Sequence, residues 1–112
     1  MIVKIYTREK CYSSKKAKNF FEKYRIPYRE INIDEKPIGK EELEKLLEYS
    51  DGGFEDVLKR NYIQKFLEMK TEKLKQYILE NQTVLKTPIV FQGEKCCSGF
   101  LEEKFGMFIP KE

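Results

Sequence analysis

The chain begins with an apolar run, Ile2-Val3-Lys4-Ile5-Tyr6, that reads as a short strand over 2–6. The period then changes. Ala17, Phe20, Phe21 and Tyr24 recur at i, i+3, i+4, i+7 spacing and predict an amphipathic helix over 12–25, with Pro27 blocking its continuation. Tyr28-Arg29-Glu30-Ile31-Asn32-Ile33 alternates apolar and polar and predicts a strand buried on one face. Together these segments form a β-α-β unit with a right-handed crossover between parallel strands.

The middle third is helical and charged. Pro37-Ile38-Gly39 starts a new element, and Leu43, Leu46, Leu47 and Ser50 mark one face of a helix over 40–49. Asp51-Gly52-Gly53 is a turn. Phe54, Val57 and Leu58 predict a short helical piece, followed by Tyr62, Ile63, Phe66 and Leu67. A helix over 71–80 should bury Leu74, Tyr77 and Ile78, with Thr71 as its N-cap and Glu72 in its first turn. Its charged face and that of the 40–49 helix read as solvated surface with i, i+4 pairs.

Strands return in the last third. Thr87-Pro88-Ile89-Val90-Phe91 is a short apolar run, Gln92-Gly93, with or without Glu94, a hairpin turn, and Lys95 to Ser98 the partner strand. Gly99 is expected to open a final helix with Phe105 and Phe108 inward. The order β-α-β, helices, β-β-α predicts an α/β fold with helices on a small mixed sheet. It is read as one domain over 1–112, with a helical insertion over about 40–80.

Composition narrows the function classes. A net charge of +3, from 22 basic and 19 acidic residues mixed along the chain, is no footprint of a nucleic-acid-binding surface. No apolar run is long enough to span a membrane. The N-terminal residues lack the charged and apolar regions of a secretory signal. Three cysteines without framework spacing fit a reducing cytoplasm. Histidine is absent, which excludes histidine acid–base catalysis and histidine metal ligation, so no metal site is expected.

Cys11 is the candidate reactive group. A strand, a polar turn over 7–10, this cysteine and then a helix place its sulfur at a helix N-terminus. Free N–H groups and the macrodipole favour an anion there, so the thiol should ionise readily. Arg8, Lys10, Lys15 and Lys16 lie within one turn or loop of it and, with Lys18, argue for an anionic ligand such as a glutathione carboxylate or an oxyanion. Ser14 either hydrogen-bonds the thiolate or satisfies a first-turn N–H group. Cys96 and Cys97 are adjacent in a strand, so one is expected in the core and the other exposed, and a structural role is favoured over that of a resolving cysteine for Cys11.

The element order is that of the thioredoxin fold with a helical insertion, and the details resemble one family within it. Ile5-Tyr6-Thr7 leads to Cys11, Lys16-Ala17-Lys18 lies in the first helix, and Ile26-Pro27-Tyr28 precedes Glu30-Ile31-Asn32-Ile33. Pro37, Lys40-Glu41-Glu42-Leu43, Thr87-Pro88-Ile89-Val90, Gly99-Phe100 and Phe108-Ile109-Pro110 complete a colinear set. This set resembles the family of the glutaredoxin-coupled arsenate reductases (ArsC type) and the Spx/MgsR transcriptional regulators.

The resemblance implies a cis Pro88 opposite the thiol. Spx regulators carry Cys-x-x-Cys at the start of the first helix; here Ser14 holds the second position, so that local disulfide cannot form. ArsC-type reductases pair one cysteine with a serine and borrow a thiol from glutathione and glutaredoxin. Where they place three arginines around the oxyanion, this chain has Lys59 (with Arg60 beside it), Thr87 and roughly Ser98. Thr and Ser cannot replace guanidinium forks, so weak or absent arsenate turnover is expected.

The implied activity is monothiol redox chemistry, arsenate reductase-like or glutaredoxin-like, without a bound cofactor. Cys11 is the nucleophile, Ser14, Lys15 and Arg8 stabilise the anion, and Lys59, Arg60, Thr87 and Pro88 are substrate-binding candidates. Glutathione or glutaredoxin is the external thiol. The alternative is an Spx-type regulator, in which the Gly52-Gly53 turn docks on the C-terminal domain of the RNA polymerase α subunit.

Overall fold

In the computed structural model, residues 2–66 and 68–110 are described. Strand β1 (Val3–Thr7) leads to helix α1 (Tyr12–Lys23) and strand β2 (Tyr28–Asn32). Helices α2 (Lys40–Tyr49), α3 (Phe54–Val57), α4 (Arg60–Ile63) and α5 (Thr71–Glu80) follow, with a 3₁₀ turn at Gln64–Phe66. After a second 3₁₀ turn, Gln82–Val84, come the hairpin strands β3 (Ile89–Gln92) and β4 (Lys95–Ser98), then helix α6 (Glu102–Phe105) and a 3₁₀ turn at Gly106–Phe108.

The strands form one mixed sheet in the order β2-β1-β3-β4. β1 runs parallel to β2, while β1–β3 and β3–β4 are antiparallel. Alternation along the strands divides the core between the two faces. Val3, Ile5, Val90 and Cys97 point to one face, where Ala17, Phe20 and Phe21 of α1 meet Phe105 and Phe108. This side is aromatic: Phe21 stacks on Phe105 with ring centroids 5.4 Å apart. Tyr6, Ile89, Phe91 and Cys96 point to the other, beneath Leu43, Leu46, Leu74 and Ile78 of the inserted helices. Glu42 ties that insertion to the sheet, since it accepts from Tyr6 Oη at 2.8 Å, Lys4 Nζ at 3.1 Å and the Gly39 N–H at 2.9 Å. The last bond caps α2. Among the described residues no helix is long and apolar enough to cross a membrane.

Several boundaries differ from the sequence expectation, each for a local reason. α1 ends at Lys23, because Arg25 takes φ +55° and turns the chain so that Ile26 enters the core. Tyr24 is therefore half-exposed and covers Phe20 from outside, ring centroids 4.7 Å apart. Thr7 belongs to β1, not to the turn after it, and its hydroxyl donates to Glu30 at 2.7 Å. Thr71 is the first helical residue of α5, with Lys70 at the N-cap. Tyr77 is only partly buried beside Leu74 and Ile78. The final helix begins at Glu102 rather than Gly99, whose φ of +81° does not fit a right-handed helix. Leu67 lies outside the described residues.

The largest correction concerns Cys96 and Cys97. They do face opposite sides of β4, yet both are buried. β4 edges the sheet, but it has α2 on one face and the Phe105–Phe108 segment on the other. An edge strand covered twice has no exposed side-chain row. All three cysteines are free thiols.

Candidate active site

Cys11 is the N-cap residue of α1, in an extended conformation that lets its side chain look along the start of the helix. The chain reaches it through Lys10 at φ +59°, and the Cys11 N–H donates to the Arg8 carbonyl at 3.3 Å. The sulfur is partly exposed. Across from it stands the segment ahead of β3. Thr87 Oγ1 lies 3.0 Å from Cys11 Sγ and the Thr87 carbonyl 3.6 Å away. The Thr87–Pro88 peptide is cis. The Gly99 N–H donates to the Pro88 carbonyl at 2.8 Å, which anchors this turn to the end of β4.

The Cys11 pKa lies below its ordinary value. Burial pushes it up, but hydrogen bonding outweighs burial: the Ser14 and Thr87 hydroxyls and the N–H groups of Ser14 and Ser13 all favour the thiolate. Ser14 Oγ is buried and closes no hydrogen bond of ordinary geometry, and the neutral sulfur makes no standard cap bond. The two observations disagree on whether Ser14 serves the sulfur. The large, diffuse sulfur reconciles them, because donors too distant for a strong bond to the thiol still stabilise a full negative charge.

Three of the cations expected around the thiol are otherwise engaged. Arg8 donates to Gln82 and Leu85 carbonyls and to Asp34. Lys18 pairs with Glu30 at 3.2 Å, and Lys16 sits 4.8 Å over the Tyr12 ring.

Two clefts meet at the sulfur, and Cys11 lines both. The larger, about 800 Å³, carries Arg8, Lys10, Lys15 and Lys18 together with Glu9, Glu30 and Glu35, so its charge is mixed. A smaller one, about 350 Å³, runs past Thr87 to Lys59, Lys86, Ser98, Phe100 and Leu101 and contains no carboxylate. Of the substrate-binding candidates, Lys59 and Thr87 line this smaller cleft, and Pro88 is buried behind Thr87. Arg60 is exposed and does not line it. Gly52 and Gly53 lie in a separate turn that borders neither Cys11 cleft.

Lys86 escaped the sequence reading. It reaches the site because residues 57–59 and 84–86 pair around the Leu58–Leu85 bridge, with Lys59 N–H on Val84 O at 2.9 Å and Lys86 N–H on Val57 O at 2.8 Å. A single long-range bridge leaves no periodic signal in the chain. Among the described residues no cluster of three or more His, Cys, Asp or Glu is placed to hold a metal.

Comparison with known proteins agrees with this geometry. Residues 3–57 match the sequence model of the glutaredoxin family. The global transcriptional regulator Spx of Streptococcus agalactiae serotype V is 28% identical over 117 residues, covering 99% of this chain and 85% of that protein. The regulator Spx 2 of Lactococcus lactis is 29% identical, covering 98% of this chain and 88% of that one. The arsenate reductase structure from Vibrio cholerae superposes with a TM-score of 0.76 at 20% identity, covering 98% of each chain.

The chain is similar over nearly its whole length to the Spx regulators, and it shares its fold with the arsenate reductase structure. Its one cysteine near the helix start stands in a hydroxyl-rich pocket. The arrangement combines a partly exposed sulfur, donors that favour its ionised form, and a carboxylate-free cleft beside it.

Proposed function

We propose that this protein is a monothiol disulfide-exchange protein in a reducing, cytoplasmic compartment, with Cys11 as its nucleophile. The observation that carries the reading is the Thr87 hydroxyl 3.0 Å from the sulfur, together with the buried, unpartnered Ser14 hydroxyl beside it. The Cys11 thiolate attacks one sulfur of a disulfide, forms a Cys11–S–S–R bond and expels the other sulfur as a thiolate that takes a proton. A second thiol, in its thiolate form, then attacks the R sulfur, forms a new disulfide with it and returns Cys11 as a thiolate. Glutathione or a glutaredoxin is the class of thiol that fits this second step. Lys59 and Lys86 would attract anionic parts of the substrate. Two ammonium groups are a poor match for a tetrahedral oxyanion that calls for guanidinium forks, so arsenate is the weaker substrate.

The test is reduction of a glutathione mixed disulfide by excess glutathione, catalysed by the wild-type protein and not by Cys11→Ser. An ordinary Cys11 pKa near ~8.5, or equal rates for the two proteins, would overturn the reading.

A second reading has its own support, the whole-length similarity to the Spx regulators. On that reading the turn at Gly52-Gly53 docks on RNA polymerase, at the C-terminal domain of its α chain. Gly53 has φ +59° and open space where a side chain would stand, so the turn presents backbone to a partner. Co-purification with that polymerase domain, under reducing and oxidising conditions, is the expected result. No binding in either condition would remove this reading. Replacing Gly53 is a poor probe, because any L-residue at that φ strains the turn itself.

A further inference from the structure

We infer that Arg8 is a positioning residue whose guanidinium fastens the turn carrying Thr87 to the loop carrying Cys11, and so keeps the Thr87 hydroxyl on the sulfur. The inference rests on the thiol chemistry proposed above. It also changes the role of Arg8 from a charge beside the thiolate to a clamp between two backbone segments.

The geometry is specific. Arg8 Nη2 donates to the Gln82 carbonyl at 2.9 Å and Nη1 to the Leu85 carbonyl at 3.3 Å. Nε faces Asp34 Oδ1 at 3.4 Å. The side chain is only 14% exposed, while Asp34 is 50% exposed, so the carbonyl contacts are the better shielded from water. The Arg8 carbonyl accepts the Cys11 N–H at 3.3 Å. One residue thus holds the thiol loop with its main chain and the facing turn with its side chain.

The facing turn is the fixed partner. Leu85 is fully buried and bridged to Leu58. The Gln82 amide holds Ile38 from both sides, accepting its N–H at 2.9 Å and donating to its carbonyl at 2.7 Å. The clamp therefore aligns the 8–11 loop with an anchored segment that ends at Thr87. A planar fork suits this task because its donors diverge in fixed directions toward two carbonyls and a carboxylate. An ammonium keeps the charge without that geometry.

The test is the pH dependence of Cys11 alkylation in the wild type, Arg8→Ala, Arg8→Lys, Thr87→Val and Arg8→Ala/Thr87→Val, with thermal melts to establish folding. Both Arg8 variants should raise the apparent pKa and slow alkylation at neutral pH by roughly three- to tenfold, the worth of one weakened hydrogen bond. The double variant should be no slower than Thr87→Val alone, because Arg8 acts through that hydroxyl. If Arg8→Ala melts, Arg8→Lys and its double with Thr87→Val carry the comparison. Wild-type behaviour in Arg8→Lys would assign the effect to charge and overturn the clamp, as would independent, multiplying effects of Arg8 and Thr87. A lowered wild-type pKa that the Arg8 variants leave in place defeats only the clamp. An ordinary wild-type pKa defeats the exchange reading itself.

Discussion

Cys11 and the Cys96–Cys97 pair carry the same functional group in environments that push it in opposite directions. All three lose solvation. Around Cys11, hydroxyl and amide donors outweigh that loss and its pKa falls. In β4 nothing outweighs it: burial pushes Cys96 up to about 11 and Cys97 to about 12, although Lys45 and Lys104 pull the other way. Nearby lysines are thus insufficient to make a thiol reactive. Donors at the mouth of a helix and on a facing turn are what distinguish Cys11 from two core residues of similar size.

The strongest break of this contrast is functional. Cys11→Ser should reduce disulfide exchange by roughly a thousandfold or more, to the uncatalysed background. Cys96→Ala and Cys97→Ala should keep the rate and lose about 1 kcal/mol of stability through the small cavities they leave. Loss of exchange in either β4 variant, in a protein that still melts cooperatively, would end the distinction.

Selectivity comes next. In the native protein, alkylation followed by peptide mapping should modify Cys11 roughly a hundredfold faster than Cys96 or Cys97, which react only when the strand opens. Comparable labelling of all three would show that β4 is not the closed environment described.

Smaller effects dissect the Cys11 side. Ser14→Ala and Thr87→Val each remove a donor to a charged acceptor worth ~1.5 kcal/mol, so each should slow neutral-pH alkylation by roughly tenfold. Lys15→Ala should change it less than either. A larger effect of Lys15 would restore charge as the cause of activation.

The least effect is on stability against pH. Cys96 and Cys97 have raised pKa values in the fold, so their contribution is complete below the ordinary thiol value. It is lost as pH rises toward about 11 and 12, because the unfolded chain releases those protons first. Cys11 has the opposite sign: its contribution is present above the unfolded value and lost as pH falls through its lowered one. Urea midpoints from pH 8 to 11 should therefore decline more gently in Cys96→Ala/Cys97→Ala than in the wild type. Parallel declines would show that other groups set the alkaline limb.

Much of this was legible in the chain. The switch from an apolar run to helical spacing after Tyr6 located β1, α1 and the thiol between them, since periodicity is a local property. Leu43 and Leu46, and Leu74 and Ile78, marked the inner faces of α2 and α5 for the same reason. The start of the last helix was misplaced because a glycine at positive φ looks, in sequence, like any helix-opening glycine. The burial of both β4 cysteines was missed because alternation says which way a side chain points and not whether a second layer covers that face. That Arg8 turns its guanidinium toward Gln82 and Leu85 was not legible, because closeness along the chain does not say where a long side chain points.

By itself the sequence determined that a lone cysteine stands at a helix N-terminus, without histidine and without a second cysteine in the adjacent turn. Those facts follow from residue identity and short-range spacing. Tertiary structure alone decided what surrounds the sulfur. The Thr87 hydroxyl, the second lysine of the cleft and the carbonyls that Arg8 clamps all come from the segment ahead of β3, far along the chain from Cys11. They reach the thiol because β3 pairs with β1, and a pairing between distant strands has no local signature from which it could be read.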